Sequence, residues 1–306
     1  MKYLLVFLLS CGMISLHAQT WDLISPEQGD VGFYNFSPVA NCADSNILWI
    51  QDYTMESWES YDLMLEITGA AHFNDSSLLL ICGSGSYSDG IYKVNIANGQ
   101  HEVQFYCYKP KTIAQISNKW YVGYDGGLVS SEDGEDWDTV LFFHTDTSVI
   151  DFFVDGSHQI AVCQCSENGF IYHSSDNGLN WEQYDFTLPV IEAEYDMVNH
   201  RLFVAMGDDS YSDGCYVSED YGNTFDNLIF AQNIAALQLL TDHLIAIVYA
   251  EKAGEPRGVY ILNTNTSETT NKTGNLPTTN ICNLSVHPFI DCINLVACID
   301  SGAYLT

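Results

Sequence analysis

The sequence predicts an all-β chain folded as a seven-bladed β-propeller of four-stranded blades. Three observations carry this expectation. First, the pattern Ser-x-acid-x-Gly-x-x-aromatic occurs at 130–137, 174–181 and 218–225, and its glycines, Gly134, Gly178 and Gly222, are spaced by 44 residues. A fixed period of that length indicates repeated supersecondary units. Second, Gly-x-Tyr triplets begin at Gly90, Gly214, Gly258 and Gly302, the last three again 44 apart. Third, apolar runs of strand length recur at 78–82, 120–124, 160–163, 202–206, 244–248 and 295–298. Short continuous apolar runs bounded by turn signals suit strands buried on both faces.

Each unit then reads as four strands. The innermost comes first, as in 149–154, and the doubly buried strand follows. The third strand opens with glycine, the Ser/acid/Gly box makes a tight turn, and the aromatic residue of the box starts the outer strand. Innermost strands are expected to begin near Phe33, Ile67, Thr112, Val149, Val190, Ile234 and Ile281, with the first unit abbreviated. Trp21-Asp22-Leu23-Ile24 resembles the strand that follows a box, and Tyr304-Leu305-Thr306 ends where an outer strand is due. The N-terminus would supply that strand and close the ring, which removes exposed edges. The alternative is a fragment that continues into another box. Residues 20–306 are read as one domain, a length that a closed all-β architecture can use as a single unit. No helical period of useful length is present.

Forty acidic and nine basic side chains give a net charge of −31. Such a surface repels phosphate backbones and anionic lipid, so nucleic-acid and membrane-surface partners are not expected. It favours cations, basic partners or simply a well-solvated exterior. Residues 1–19 read as a secretory signal, with Lys2, an apolar run from Tyr3 to Leu9, and a cleavage region near Ala18-Gln19. A lipoprotein box at Leu8-Leu9-Ser10-Cys11 is the rival reading, although the residues after Cys11 stay apolar where a tether is polar. No later segment is long and apolar enough to span a bilayer. A secreted, cell-surface or periplasmic monomer is expected.

Nine of the 10 cysteines follow the signal, and secretion permits disulfides. Cys82, Cys163, Cys165 and Cys298 fall within apolar strand patterns, where Cys acts as a small hydrophobe. Cys282 and Cys292 flank an expected hairpin and are the best candidate pair. Cys163-x-Cys165 lacks the spacing and companions of a zinc knuckle.

The box residues have a local chemistry. An Asp oxygen accepts from nearby backbone N–H groups, Gly supplies a positive φ, Ser adds another bond, and the aromatic ring covers the gap between sheets. Ser174, Asp176, Gly178 and Trp181 meet every key position; Ser218, Asp220 and Gly222 carry Phe225 in place of Trp. Ser130, Gly134 and Trp137 are joined by Glu132 where Asp is usual. In these boxes the chain resembles the Asp-box, or BNR, repeat proteins: sialidase-type and sortilin-type propellers and photosystem II assembly-factor-like proteins. The resemblance implies that the boxes are structural and lie on the face away from the ligand site. Trp-Asp pairs follow the Gly turn instead of ending a blade and lack a Gly-His partner, which argues against a WD40 reading.

Sialidases of that family grip the substrate carboxylate with three arginines. This chain has two, Arg201 and Arg257, and Lys does not reproduce the bidentate fork. The sialidase reading is therefore excluded for this chain unless it is incomplete. The nine histidines show no His-x-His or His-x-x-x-His spacing, and neither a Gly-x-Ser-x-Gly elbow nor a phosphate loop occurs. The remaining candidates lie between second and third strands. They are Tyr87 and Asp89, Tyr211 and Asp213 in an identical Ser-Tyr-Ser-Asp-Gly loop, and Asp125, Glu167, Arg257 and Asp300 in the equivalent loops. Tyrosines beside acids suit stacking on sugar rings, or calcium binding with the carboxylates; no other cofactor is expected. Asp-Gly turns alone would also account for the acids. Two functions follow. One is a non-enzymatic binding or scaffolding module for a protein or carbohydrate ligand. The other is a glycoside hydrolase or lyase using two of these upper-loop carboxyls, one of them protonated, together with calcium or without it.

Overall fold

The structure, a computed structural model, describes residues 22–23, 31–34, 37–41, 46–51, 58–74, 76–143, 147–166, 168–207, 212–225, 227–230, 234–249, 257–276, 281–287, 294–299 and 302–305. Its strands form seven four-stranded antiparallel sheets, with no helix among the described residues. The innermost strands are Val31–Tyr34, Ile67–Asn74, Pro110–Ile116, Ser148–Asp155, Val190–Asp196, Ile234–Thr241 and Ile281–His287. Each begins within two residues of its expected start. Each also contacts the next around a ring, and the last contacts the first. The first blade has all four strands, each only four or five residues long, so it is short without being incomplete.

The ring closes through the chain ends. Asp22–Leu23 pairs antiparallel with Gly302–Leu305, placing Asp22 opposite Leu305 and Leu23 opposite Tyr304. The seventh sheet is thus built from both ends of the chain.

Apolar packing sits between blades and follows the two-residue period of a strand. In Ser77–Cys82 of the second blade, Leu78, Leu80 and Cys82 pack toward the first blade, and Leu79 and Ile81 toward the third. In Arg201–Gly207 of the fifth, Leu202, Val204 and Met206 face the fourth blade, and Phe203 and Ala205 the sixth. Both faces of these second strands are therefore buried, which explains the unbroken apolar runs. Full burial of one such side chain contributes roughly 1.5–3 kcal/mol.

The box turns lock the edges. Ser174 Oγ donates to Asp176 Oδ1 at 2.8 Å and accepts from Gly178 N–H at 2.9 Å. Asp176 also accepts from the Asn180 backbone and side chain, and these bonds, that of the Asn180 side chain first, lower its pKa to about 2. Ser218, Asp220 and Gly222 repeat the arrangement, with Thr224 in place of Asn180. Trp181 Nε1 donates to Gly178 O at 3.0 Å; Phe225, without a donor, packs its ring in the core of the seam between the fourth and fifth blades.

The first box differs from expectation. Its bonding pair is Ser131 and Asp133, not Ser130 and Glu132: Ser131 Oγ donates to Asp133 Oδ1 and accepts from Gly134 N–H at 2.7 Å. The backbone amides of Glu135 and Asp136 donate to Asp133. This turn has one residue fewer between acid and glycine, so the bonding residues move one place toward Gly134. Ser130 is buried and Glu132 is exposed.

Cys82, Cys107, Cys163, Cys165 and Cys215 are free thiols. Cys165 lies just beyond the strand His158–Gln164 and is half-buried, so the apolar strand pattern ends one residue before it. The Cys282–Cys292 pairing and the signal at 1–19 lie outside the residues described. Among the described residues no helix is long and apolar enough to cross a membrane.

Two stability predictions follow. Gly222 has φ +89°, and a Cβ there would lie 2.7 Å from Ile171 Cγ2. Gly222→Ala should cost about 1–3 kcal/mol in denaturant unfolding. Deleting residues 20–24 should leave Gly302–Leu305 as an open edge. The result should be a lower melting temperature and concentration-dependent association in light scattering.

Candidate ligand-binding surface

Strand order fixes two faces. In each blade the turns joining first to second and third to fourth strands lie at one edge, so the boxes share one face. Loops joining second to third strands, and each blade to the next, open on the other. Among the described residues, the sequence-derived candidates Tyr87, Asp89, Asp125, Asp213 and Arg257 lie at this second face.

The loop 83–89 of the second blade is built around Asp89, which is only 4% exposed. Its carboxylate accepts from the backbone amides of Ser84, Gly85, Ser86 and Lys109 at 2.9–3.1 Å, and from Ser86 Oγ at 3.1 Å. Burial by itself would raise the Asp89 pKa, but the bonds from Lys109, Ser86 and Gly85 outweigh it and hold the carboxyl below its ordinary value. Gly85, at φ +89°, allows close approach to the next segment, since a Cβ there would meet Lys109 Cε at 2.8 Å and Tyr108 Oη at 3.2 Å. Tyr87 stands at the tip of this braced loop, fully exposed.

Asp125 joins the same surface. Its N–H donates to Tyr108 O at 3.1 Å, and its carboxylate accepts from Ser148 Oγ. The structure therefore brings Asp89 and Asp125 together around Tyr108-Lys109, where the second blade passes into the third, with Tyr87 two residues before Asp89 on the same loop. Tyr106 and Tyr108 are 64% and 51% exposed, and Lys109 Nζ lies 5.3 Å from the Tyr108 ring centroid. None of these three is among the sequence-derived candidates. A signal existed, because Tyr106-Cys107-Tyr108-Lys109 puts two aromatics at a strand end that carries no box.

Of the other candidates with described side chains, Arg257 does not join this cluster. Arg257 is half-buried at the foot of Gly258–Asn263 in the sixth blade. Asp213 belongs to the strand Ser212–Ser218, where the identical Asp89 stays in the loop; its side chain, with Glu167, Tyr211 and Asp300, lies outside the described residues. Among the described residues no group of three or more His, Cys, Asp or Glu is placed to hold a metal ion.

A second group of acids lies on innermost strands. Glu192 Oε2 accepts from Leu237 N–H at 2.5 Å, and Glu194 Oε1 from Gln238 Nε2 at 2.6 Å, stitching the fifth blade to the sixth. Burial pushes Asp151 up to about 7, against one bond from Phe152 N–H. Burial, then repulsion from Asp151 and Glu192, holds Glu194 well above the usual carboxylate range. The sequence signal was an acid within each of these apolar innermost strands.

No protein-family profile and no curated protein sequence matches the chain. Solved structures do. The GH74 enzyme of Niastella koreensis superposes with TM-score 0.65 at 15% identity over 94% of this chain. The GH74 xyloglucanase of Xanthomonas campestris does so with TM-score 0.66 at 11% identity. This chain spans about half of each enzyme, 53% of its length. YCF48, solved bound to D1 peptide, superposes with TM-score 0.64 at 12% identity, over 93% of this chain and 95% of its own. What is shared is the propeller fold.

The acids on the innermost strands make a pH prediction. The Asp151 pKa is raised above its unfolded value of about 3.9, so the stability tied to its neutral form is complete below that value. It is lost as pH rises through about 7. Asp151→Asn should therefore raise the melting temperature near pH 8 relative to wild type and change it little near pH 4, as followed by circular dichroism.

Proposed function

We propose that the protein is a binding module without turnover, which holds a protein or carbohydrate partner on the face opposite the boxes. The observation that carries this reading is the braced presentation of Tyr87. A fully exposed aromatic sits on a loop whose neck is tied by five hydrogen bonds to one buried carboxylate. Rigid presentation lowers the ordering cost of binding, and exposed tyrosines with a neighbouring cation favour both sugar rings and peptide backbones. Asp89 has the lowered pKa of a structural acceptor, opposite to what a general acid needs. YCF48, which shares the fold and was solved bound to D1 peptide, supports a peptide or protein partner. A net charge of −31 favours a cationic protein over an acidic one. The signal-like residues 1–19 support a location outside the cytoplasm, and the module needs no cofactor.

The second reading is a glycoside hydrolase that works through Asp151 and Glu194. It is favoured by their raised pKa values, since one carboxyl of a glycosidase must stay protonated.

Titration calorimetry with xyloglucan oligosaccharides, a neutral β-glucan and Lys-rich and Glu-rich peptides separates the two. Saturable binding without product release is expected, weakened about tenfold or more by Tyr87→Ala with the melting temperature unchanged. Glycan cleavage at enzymatic rates, lost in Asp151→Asn and Glu194→Gln, would establish the second reading instead.

A further inference from the structure

On the box face, the seam between the fourth and fifth blades holds a group of rings that neither reading uses. His173, on the third strand of the fourth blade, is 6% exposed. Its Nε2 lies 2.9 Å from His158 Nδ1, and its Nδ1 lies 3.0 Å from Asn223 Oδ1 in the box turn of the fifth blade. Asn223 Nδ2 donates to Asp220 O at 2.6 Å, which turns Oδ1 toward His173. Donor logic then assigns every proton. His173 Nδ1–H donates to Asn223 Oδ1, so neutral His173 Nε2 is an acceptor and His158 Nδ1–H donates to it.

Tyr221, from the same box turn, stacks on His158 with ring centroids 3.8 Å apart and planes 5° apart. Its φ is +62°, where the neighbouring box has Asn177 at +60°. A bulky residue rarely adopts that conformation, and the stack offsets its strain. His200, also left-handed at φ +56°, packs against Tyr221 and pairs with Asp155 of the fourth blade. Asp155 also accepts from Tyr195 Oη at 2.8 Å. Two turns of the fifth blade are thus pinned onto the fourth through imidazoles.

We infer that this network is an acid-released clasp: it holds the 218–225 turn against the fourth blade while His173 is neutral and lets go when His173 is protonated. A proton on His173 Nε2 sets a second N–H against the His158 Nδ1–H, two donors face to face with no acceptor between them.

The surroundings are mixed. Burial lowers the His173 pKa and the nearby His158 lowers it further, while the bond to Asn223 and the charges of Glu182 and Asp220 oppose this; the net direction is down. Asp155 faces His158 and His200, and holds its own charge because bonds from Tyr195 and His200 outweigh burial. The His200–Asp155 pair therefore survives mild acid, so release is confined to the His158–His173–Asn223 arm. With the folded pKa below the unfolded value of about 6.5, the stabilisation is complete above that pH and is lost as pH falls through the folded pKa.

His173→Gln tests this, because its amide oxygen can accept from His158 and cannot titrate. Between about pH 7.5 and pH 5, wild type should lose about 2 °C or more of melting temperature relative to His173→Gln; parallel profiles overturn the proposal. Should that variant not fold, hydrogen exchange of wild type decides. After correction for intrinsic rates, amides of 218–225 should exchange about tenfold faster near pH 5 than near pH 7.5, with those of 131–137 unchanged. An equal response in both turns, or in neither, overturns it.

Discussion

Every part of this molecule depends on burying both faces of each blade against its neighbours. A lone four-stranded sheet with apolar side chains on both sides has no stable surface in water. Six apolar clusters fill six successive seams, from the first blade to the seventh, each taking alternate residues from the strands on either side. The contact of the first and last innermost strands, with the borrowed outer strand at Asp22–Leu23, joins the two ends of that series into a ring.

Closure divides the turns into two populations. One face carries the box turns, whose backbone amides are satisfied by Ser and Asp side chains. On the other face the same chemistry reappears at Asp89. Its buried carboxylate collects amides from its own loop, much as Asp176 and Asp220 collect those of their own turns, and one more from the next blade. The difference lies in what each turn presents. The boxes tuck an aromatic against the sheets, whereas the Asp89 loop leaves Tyr87 in solvent.

Legibility followed the range of the interaction. Strand starts were readable to within two residues, because a doubly buried strand needs an unbroken apolar run and a tight turn needs glycine. The first box shows where pattern matching slips. Ser130 and Glu132 fit the spacing, but hydrogen-bond geometry selects Ser131 and Asp133 once the turn is one residue shorter. Asp89 was visible as a candidate while its role was not: four of its five donors are local, but the Lys109 amide arrives from the edge of the next blade. Tyr106, Tyr108 and Lys109 went unnoticed for a related reason, since exposure at a strand end depends on whether a neighbouring loop covers it.

Repeat length, strand order, turn type and net charge are local or additive properties, so the linear chain determined them without reference to distant residues. Whether an acid becomes a proton-holding carboxyl at Asp151 or a charged bracket at Asp89 depends on burial and on amides brought from other blades. The same holds for His173, whose tautomer is set by the side chain of Asn223 in the following blade. Such outcomes arise where blades meet, and only the closed ring decides which groups meet there.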